Sequence, residues 1–252
     1  MSHSLPGRHE NGQNFLTSRA VIGRIVDELA STTGSILEIG SGGGALTGPI
    51  AATGRPVTAI EIDRRWADRL RRELPEVDVV HGDYLRTAHP RGPHVVVGNL
   101  PFHLTTAILR RLLAETAWTD AVLLTQWEVA RRRAGVGGAS LLTAQWCPWY
   151  AFTLLERVPA AAFAPRPSVD GGLLRVSRRT APAVHDRAAY QRLVQRVFTG
   201  PGRGLAQVLR RTGAFERAAL DRWLRARSPR ELPKDLGPRD WEVLWAMRRG
   251  AR

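Results

Sequence analysis

Apolar positions in the first two-thirds of the chain switch repeatedly between two periods. Residues 18–31 set Val21, Ile22, Ile25, Val26 and Leu29 on one face at helical spacing, behind Thr17 or Ser18 as a cap. Short runs rich in β-branched residues stand at 35–39, 56–62, 77–81, 95–98, 121–125, 151–157 and 172–177, and each predicts a strand. Helical stretches at 45–52, 64–73 and 104–114 run between the earlier strands, which implies β-α-β units and a parallel sheet. The later strands lie closer together and predict an antiparallel hairpin that finishes the sheet. Beyond about residue 180 only helical periodicity remains, carried by Leu193, Val194, Val197 and Phe198 and then by Trp241, Leu244 and Trp245. Pro182 and residues 201–204 read as connections between helices. The expected layout is an α/β domain over residues 1–179 and a small all-helical domain over residues 180–252.

Charge adds a partner to this picture. The 252 residues carry a formal net charge of +14, and residues 180–252 hold +9 of it. A pI near 11.5 points to a polyanion, because clustered cations release condensed counterions from a phosphate backbone. Lys234 is the only lysine, so the basic character is almost entirely guanidinium. A single cysteine, Cys147, excludes an internal disulfide. The longest apolar candidate for a membrane span, 143–155, is too short and is broken by Pro148. Residues 1–13 lack the charged-then-apolar pattern of a secretory leader, so a cytoplasmic location is expected.

Chemistry concentrates at the ends of the predicted strands. Glu38-Ile39-Gly40-Ser41-Gly42-Gly43-Gly44 follows one strand and precedes a helix. Glycines at such a turn let the backbone approach a ligand, although a purely structural turn uses them too. The spacing is G-x-G-x-G rather than the G-x-G-x-x-G of dinucleotide binders, which favours S-adenosylmethionine (SAM) over NAD. Glu61, followed by Ile62, ends the next strand, where a carboxylate can accept both ribose hydroxyls. Asp83 ends the third strand and offers an acceptor for an adenine amine; its simpler reading is a turn-forming Gly-Asp. Gly98-Asn99-Leu100-Pro101-Phe102 ends the fourth. An exocyclic adenine amine is a poor nucleophile because its lone pair is delocalised into the ring. The Asn99 side-chain oxygen and the Leu100 carbonyl can hold both N–H bonds, Pro101 fixes the backbone, and Phe102 offers a stacking face for a flipped base.

These residues occur in an order that resembles the rRNA adenine dimethyltransferases. The likeness runs from about residue 10 to 178. It rests on Gln13-Asn14-Phe15-Leu16, the glycine turn, Glu61-Ile62-Asp63, Gly82-Asp83, Asn99-Leu100-Pro101-Phe102 and the run from Phe163-Ala164-Pro165 to Asp170. Ser41 and the Trp-rich Gln145-Trp146-Cys147-Pro148-Trp149 look like the Erm branch, which methylates large-subunit rRNA and confers resistance to macrolides, lincosamides and streptogramin B. The competing branch is the housekeeping small-subunit enzymes. Phe102 where many members have Tyr, and Gly43 where Erm enzymes often have Lys, are departures that keep the chemistry. The resemblance implies a Rossmann-like SAM-dependent methyltransferase domain followed by the helical domain. It implies a cofactor site containing Gln13, Asn14, Leu16, Gly40, Gly42, Glu61, Ile62, Asp83 and Asn99, with Phe102 and Phe163 stacking on the target base. It also implies 23S rRNA as partner, protein-free or nascent, and a monomeric enzyme.

Two basic patches are candidate RNA contacts: Arg131, Arg132 and Arg133, read as a loop before the glycines at 135–138, and Arg203, Arg210 and Arg211 in the tail. Both can equally be solvated faces, and Trp223, Trp241 and Trp245 suit a stabilising cap. Trp127, Trp146 and Trp149 read as core or cleft wall. Seven histidines are scattered without metal-ligand spacing, so no metal site is expected; His103 reads as the border of the pocket. A non-enzymatic RNA-binding factor on the same fold would show a damaged cofactor motif, and none is damaged here.

Overall fold

The computed structural model describes residues 14–182 and 184–250. In chain order the elements are β1 (Phe15–Leu16), α1 (Arg19–Ala30), β2 (Ser35–Ile39), α2 (Thr47–Ala51), β3 (Val57–Glu61), α3 (Arg64–Glu73), β4 (Asp78–His81), β5 (His94–Asn99), α4 (Thr105–Ala114) and β6 (Trp118–Gln126). There follow α5 (Trp127–Arg133), α6 (Leu141–Trp146), β7 (Tyr150–Val158), β8 (Phe163–Ala164), β9 (Gly171–Arg178), α7 (Arg187–Thr199), α8 (Leu205–Thr212), α9 (Arg217–Leu224) and α10 (Pro238–Ala246). Each strand expected from the apolar runs is present, within a few residues of its expected ends. None of the described helices is long and apolar enough to cross a membrane.

Seven strands form one sheet in the order β4-β3-β2-β5-β6-β9-β7. The pairs β3/β4, β2/β3, β2/β5 and β5/β6 are parallel. Val95, Val96 and Val97 are fully buried because the central strand is covered on both faces, as parallel strands are. Helix α1 begins where the Ser18 hydroxyl accepts the Val21 N–H at 3.4 Å, and it buries Val21, Ile25 and Leu29. Asp63 caps α3 by accepting the Arg65 N–H at 2.9 Å. A separate antiparallel pair, β1 with β8, joins Phe15 to Ala164 and Leu16 to Phe163.

The chain divides into two compact units, Met1–Ala130 with Leu155–Arg175, and Arg131–Leu154 with Val176–Arg252. The division differs from a single cut after Arg179. The reason is packing: Ala144 and Cys147 belong to the same buried cluster as Tyr190, Val194, Leu209 and Trp241. The Tyr190 hydroxyl donates to the Ala144 carbonyl at 2.8 Å, and its ring meets Trp149 edge-on at 5.4 Å. Trp241 stacks on Phe198 at 5.9 Å, so the tail tryptophans serve this unit's own core.

Candidate active site

The first unit carries a cleft at the carboxyl ends of its parallel strands, where ligands bind in open α/β sheets. The turn after β2 supplies one wall. Gly40 and Gly42 have φ of +70° and +50°, and a Cβ on Gly42 would stand 3.0 Å from the Phe15 ring, so only glycine fits there without strain. Glu61, at the end of β3 and 2% exposed, ties this turn down. Its Oε2 accepts the Gly42 N–H at 2.6 Å and its Oε1 accepts the Asp63 N–H at 2.8 Å. Each carboxylate oxygen keeps a second lone pair, so the group can hold a diol while anchoring the turn. Ile62 beside it is 54% exposed and lines the cleft, an apolar face of the kind a purine ring covers.

Glu38 belongs to this site as well, although the glycine motif that contains it assigns it no role. It lines the cleft but is fully buried, and its Oε2 has no hydrogen-bond partner among the described residues, nor has the neighbouring Ser41 hydroxyl. Burial pushes the Glu38 carboxyl up to about 7, a Thr47 hydroxyl opposes the shift, and the Glu61 charge adds to it. A buried carboxylate oxygen left without a partner is suited to a cationic group such as the ammonium of an amino acid. Because the folded-state value lies above the ordinary 4.5, the stability tied to Glu38 is intact below that pH and is lost as pH rises through about 7. Glu38→Gln should therefore gain on the wild type by up to about 3 kcal/mol between those two pH values. Urea unfolding at the two ends of the range checks this.

The opposite wall comes from the end of β5. Asn99 donates through Nδ2 to the Asn14 carbonyl at 2.7 Å, which fixes the amide so that its oxygen is left for another donor. The Leu100 N–H donates to Leu124 at 2.9 Å in β6, and no described residue donates to the Leu100 carbonyl. Two acceptors thus leave one short segment held at both ends. Phe102 is half-buried and lines the cleft.

Most of the expected site assembles here: Asn14, Leu16, Gly40, Gly42, Glu61 and Ile62 share the cleft with Asn99, Leu100, Pro101 and Phe102. His103 borders it, as expected, and is exposed. Gln13 lies outside the described residues. Asp83 is not in the lining; its Oδ1 accepts the Leu85 N–H at 2.9 Å, the simpler turn role. Phe163 is buried rather than open to a base, and it meets Phe102 edge-on with ring centroids 6.4 Å apart, so it backs the stacking ring instead of stacking itself. Arg131, Arg132 and Arg133 form the last turn of α5, not a loop. Arg133 donates to the Ser140 hydroxyl at 2.6 Å, Arg131 packs on Gly137, and Arg132 is the exposed one of the three. Arg203 and Arg211 are exposed, and Arg210 pairs with Asp221 at 3.0 Å. Among the described residues no cluster of His, Cys, Asp and Glu could hold a metal ion.

A parallel sheet whose first strand-to-helix turn is a glycine cradle tied to a strand-end acid, with Asn-Leu-Pro-Phe at the end of β5, defines a Rossmann-like methyltransferase. The chain belongs to the ribosomal RNA adenine dimethylase family, whose model matches residues 5–223. It is 54% identical to an rRNA adenine N-6-methyltransferase of Corynebacterium diphtheriae over 83% of this chain and 84% of that protein. It is 51% identical to the mycinamicin-resistance protein MyrB of Micromonospora griseorubida over 96% of this chain and 79% of that one. The crystal structure of the 23S rRNA methyltransferase ErmE superposes with a TM-score of 0.85 at 31% identity, covering 93% of this chain and 99% of that one. The Erm-type resemblance seen in the motifs is borne out by these relatives.

Proposed function

We propose that this protein transfers a methyl group from SAM to the exocyclic amine of an adenine in 23S rRNA, and that the modification protects the ribosome from macrolides, lincosamides and streptogramin B. The observation that carries the chemistry is the Asn99 amide, oriented by its 2.7 Å bond to Asn14 beside the glycine cradle. The mycinamicin-resistance relative and the likeness to ErmE support the substrate and the phenotype.

The cleft fits SAM by its own features: an open glycine turn, a ribose-accepting Glu61 and an orphaned buried acid at Glu38. Bound there, SAM supplies an electrophilic methyl group on a sulfonium, a good leaving group. The residues then have to align an amine more than to deprotonate it. Asn99 Oδ1 and the Leu100 carbonyl accept the two N–H bonds of the target, drawing its nitrogen toward a pyramidal shape that frees the lone pair. Phe102 stacks on the flipped base, and buried Phe163 keeps that ring in place. The proton leaves after transfer, to solvent or to a carbonyl.

The substrate in this reading is protein-free or nascent 23S rRNA, because a flipped adenine must enter a cleft at the edge of a sheet; the enzyme acts in the cytoplasm as a monomer. Expression in a susceptible host should raise macrolide resistance and place a primer-extension stop in 23S rRNA. A stop confined to small-subunit rRNA, with susceptibility unchanged, would favour the housekeeping branch.

The cationic helical unit supports RNA binding through Arg203, Arg210 and Arg211. Changing all three to Glu should weaken RNA affinity at least tenfold and reduce the salt slope by roughly 0.9 for each phosphate that is no longer neutralised. The melting temperature should move little, since the Arg210–Asp221 pair is exposed and such pairs contribute about 0–1 kcal/mol. Filter binding across a salt series checks it, and unchanged affinity would reduce this unit to a stabilising cap.

A further inference from the structure

The first unit contains a second concavity, of about 500 Å³, that the steps above do not use. Gln126 at the carboxyl end of β6 and Trp127 and Glu128 at the start of α5 line it, with Arg157, Ser168, Val169 and Asp170. In the parallel pair β5/β6, Asn99 stands opposite Leu124, so Gln126 is two residues further along the same edge of the sheet. At roughly 3.3 Å per residue and 4.8 Å between strands, that is within about 8 Å of Asn99. Phe163 links the two places: it meets Phe102 edge-on, and its Cζ lies 3.1 Å from where a Cβ on Gly171, next to Asp170, would stand.

Arg157 is the unusual member. Its side chain is 60% exposed, yet it is held at two points. Nε donates to Asp170 Oδ2 at 2.8 Å, and the guanidinium sits over the Trp127 ring, 5.3 Å from its centroid. Asp170 is itself fixed, accepting the Ala160 N–H at 2.9 Å through Oδ1, while its carbonyl accepts the Trp127 N–H at 2.9 Å. The Ala160 amide and Arg157 hold the Asp170 carboxyl below the usual range, so the clamp persists at neutral pH. Neither Nη of Arg157 has a partner among the described residues, and neither have the side chains of Gln126 and Ser168. A guanidinium so fixed presents two parallel donors, the fork that suits a phosphodiester. Gln126 adds a donor and an acceptor, as a base edge requires, and Val169, 43% exposed, adds an apolar face.

The geometry points to a subsite for the unpaired nucleotide next to the target adenine, with its phosphate on Arg157 and its base over Val169 within reach of Gln126 and Ser168. This rests on the rRNA-methylating reading and adds to it a determinant of sequence context. Anchoring the neighbour one step from Asn99 also helps to hold the target base out of its stack.

The test is a cycle between protein and RNA. Methyl transfer is measured on a hairpin cut around the adenine that the wild-type protein methylates, and on hairpins lacking the base of its 5′ or its 3′ neighbour. The variants are Gln126→Ala and Arg157→Gln. For the wild type, loss of one neighbour's base should lower kcat/KM about tenfold, as loss of a stacked base does. Each variant should lose a similar factor on the intact hairpin, mainly in KM, and little more when that base is missing. SAM affinity and melting temperature should not move, which separates binding from a structural role of the Arg157–Asp170 pair. Losses that simply multiply at both neighbours would overturn the subsite while leaving the methyltransferase reading intact. Failure of the wild type to methylate any adenine would overturn both.

Discussion

Replacing Asn99 by alanine is expected to lower the rate of methyl transfer by roughly a hundredfold or more while SAM affinity stays within a few-fold of wild type. The lost oxygen acts on the amine as its nitrogen becomes pyramidal, an interaction that grows toward the transition state and so appears in kcat rather than in binding. Removing one polar partner aimed at a reacting group costs about a hundredfold to a thousandfold in comparable sites. Asn99 also donates to the Asn14 carbonyl, so the variant releases the hold of β5 on Asn14. That effect is local and should appear as a modest fall in stability. Asn99→Asp separates the roles: it keeps an acceptor but loses the donor to Asn14, so the group should be misoriented and the rate low. Rapid-quench transfer with calorimetric SAM binding measures both quantities. Near wild-type transfer by Asn99→Ala would contradict the mechanism.

Glu61→Ala should have the second largest effect, and the structure enlarges what the sequence implies. From its strand-end position Glu61 reads as a ribose acceptor alone. In the folded chain its two oxygens also accept from Gly42 and Asp63, so the variant strands the Gly42 amide and loosens the cradle. Each charge-assisted bond contributes about 1.5–3 kcal/mol, so SAM affinity should fall at least tenfold and stability should fall with it. Glu61→Gln should not rescue binding, because an amide cannot accept from two backbone donors and a diol together. Calorimetry on the folded variants is the check. Unchanged SAM affinity would remove Glu61 from the cofactor site.

What the chain reveals before folding follows the range of the interactions. Ser35–Ile39 and Arg64–Glu73 are legible to the residue, because a short apolar run and helical periodicity are local signals. The β1/β8 pair is not: each strand has two residues, and Phe15 and Ala164 meet only through the fold. The same limit explains the arginines at 131–133, where the glycines that follow suggest a loop but the helix of Trp127–Arg133 runs up to them. Charge and periodicity set a boundary at Arg179, but Ala144 and Cys147 join the helical core through Tyr190, a packing relation that no composition shift announces. Within the site, the strand-end residues Gly40, Gly42, Glu61, Ile62 and Asn99 to Phe102 share one cleft. Sequence order could not show that Asp83 would turn to Leu85, that Phe163 would be buried, or that one oxygen of Glu38 would be left without a partner.

The central claim is methyl transfer to an adenine amine of 23S rRNA. The most direct measurement incubates the purified protein with isotopically labelled SAM and protein-free 23S and 16S rRNA, digests each RNA to nucleosides and reads them by mass spectrometry. The expected result is label on N6-methylated adenosine from 23S rRNA alone, abolished by Asn99→Ala. Label only in 16S rRNA, or on an atom other than the exocyclic amine of adenine, would contradict it.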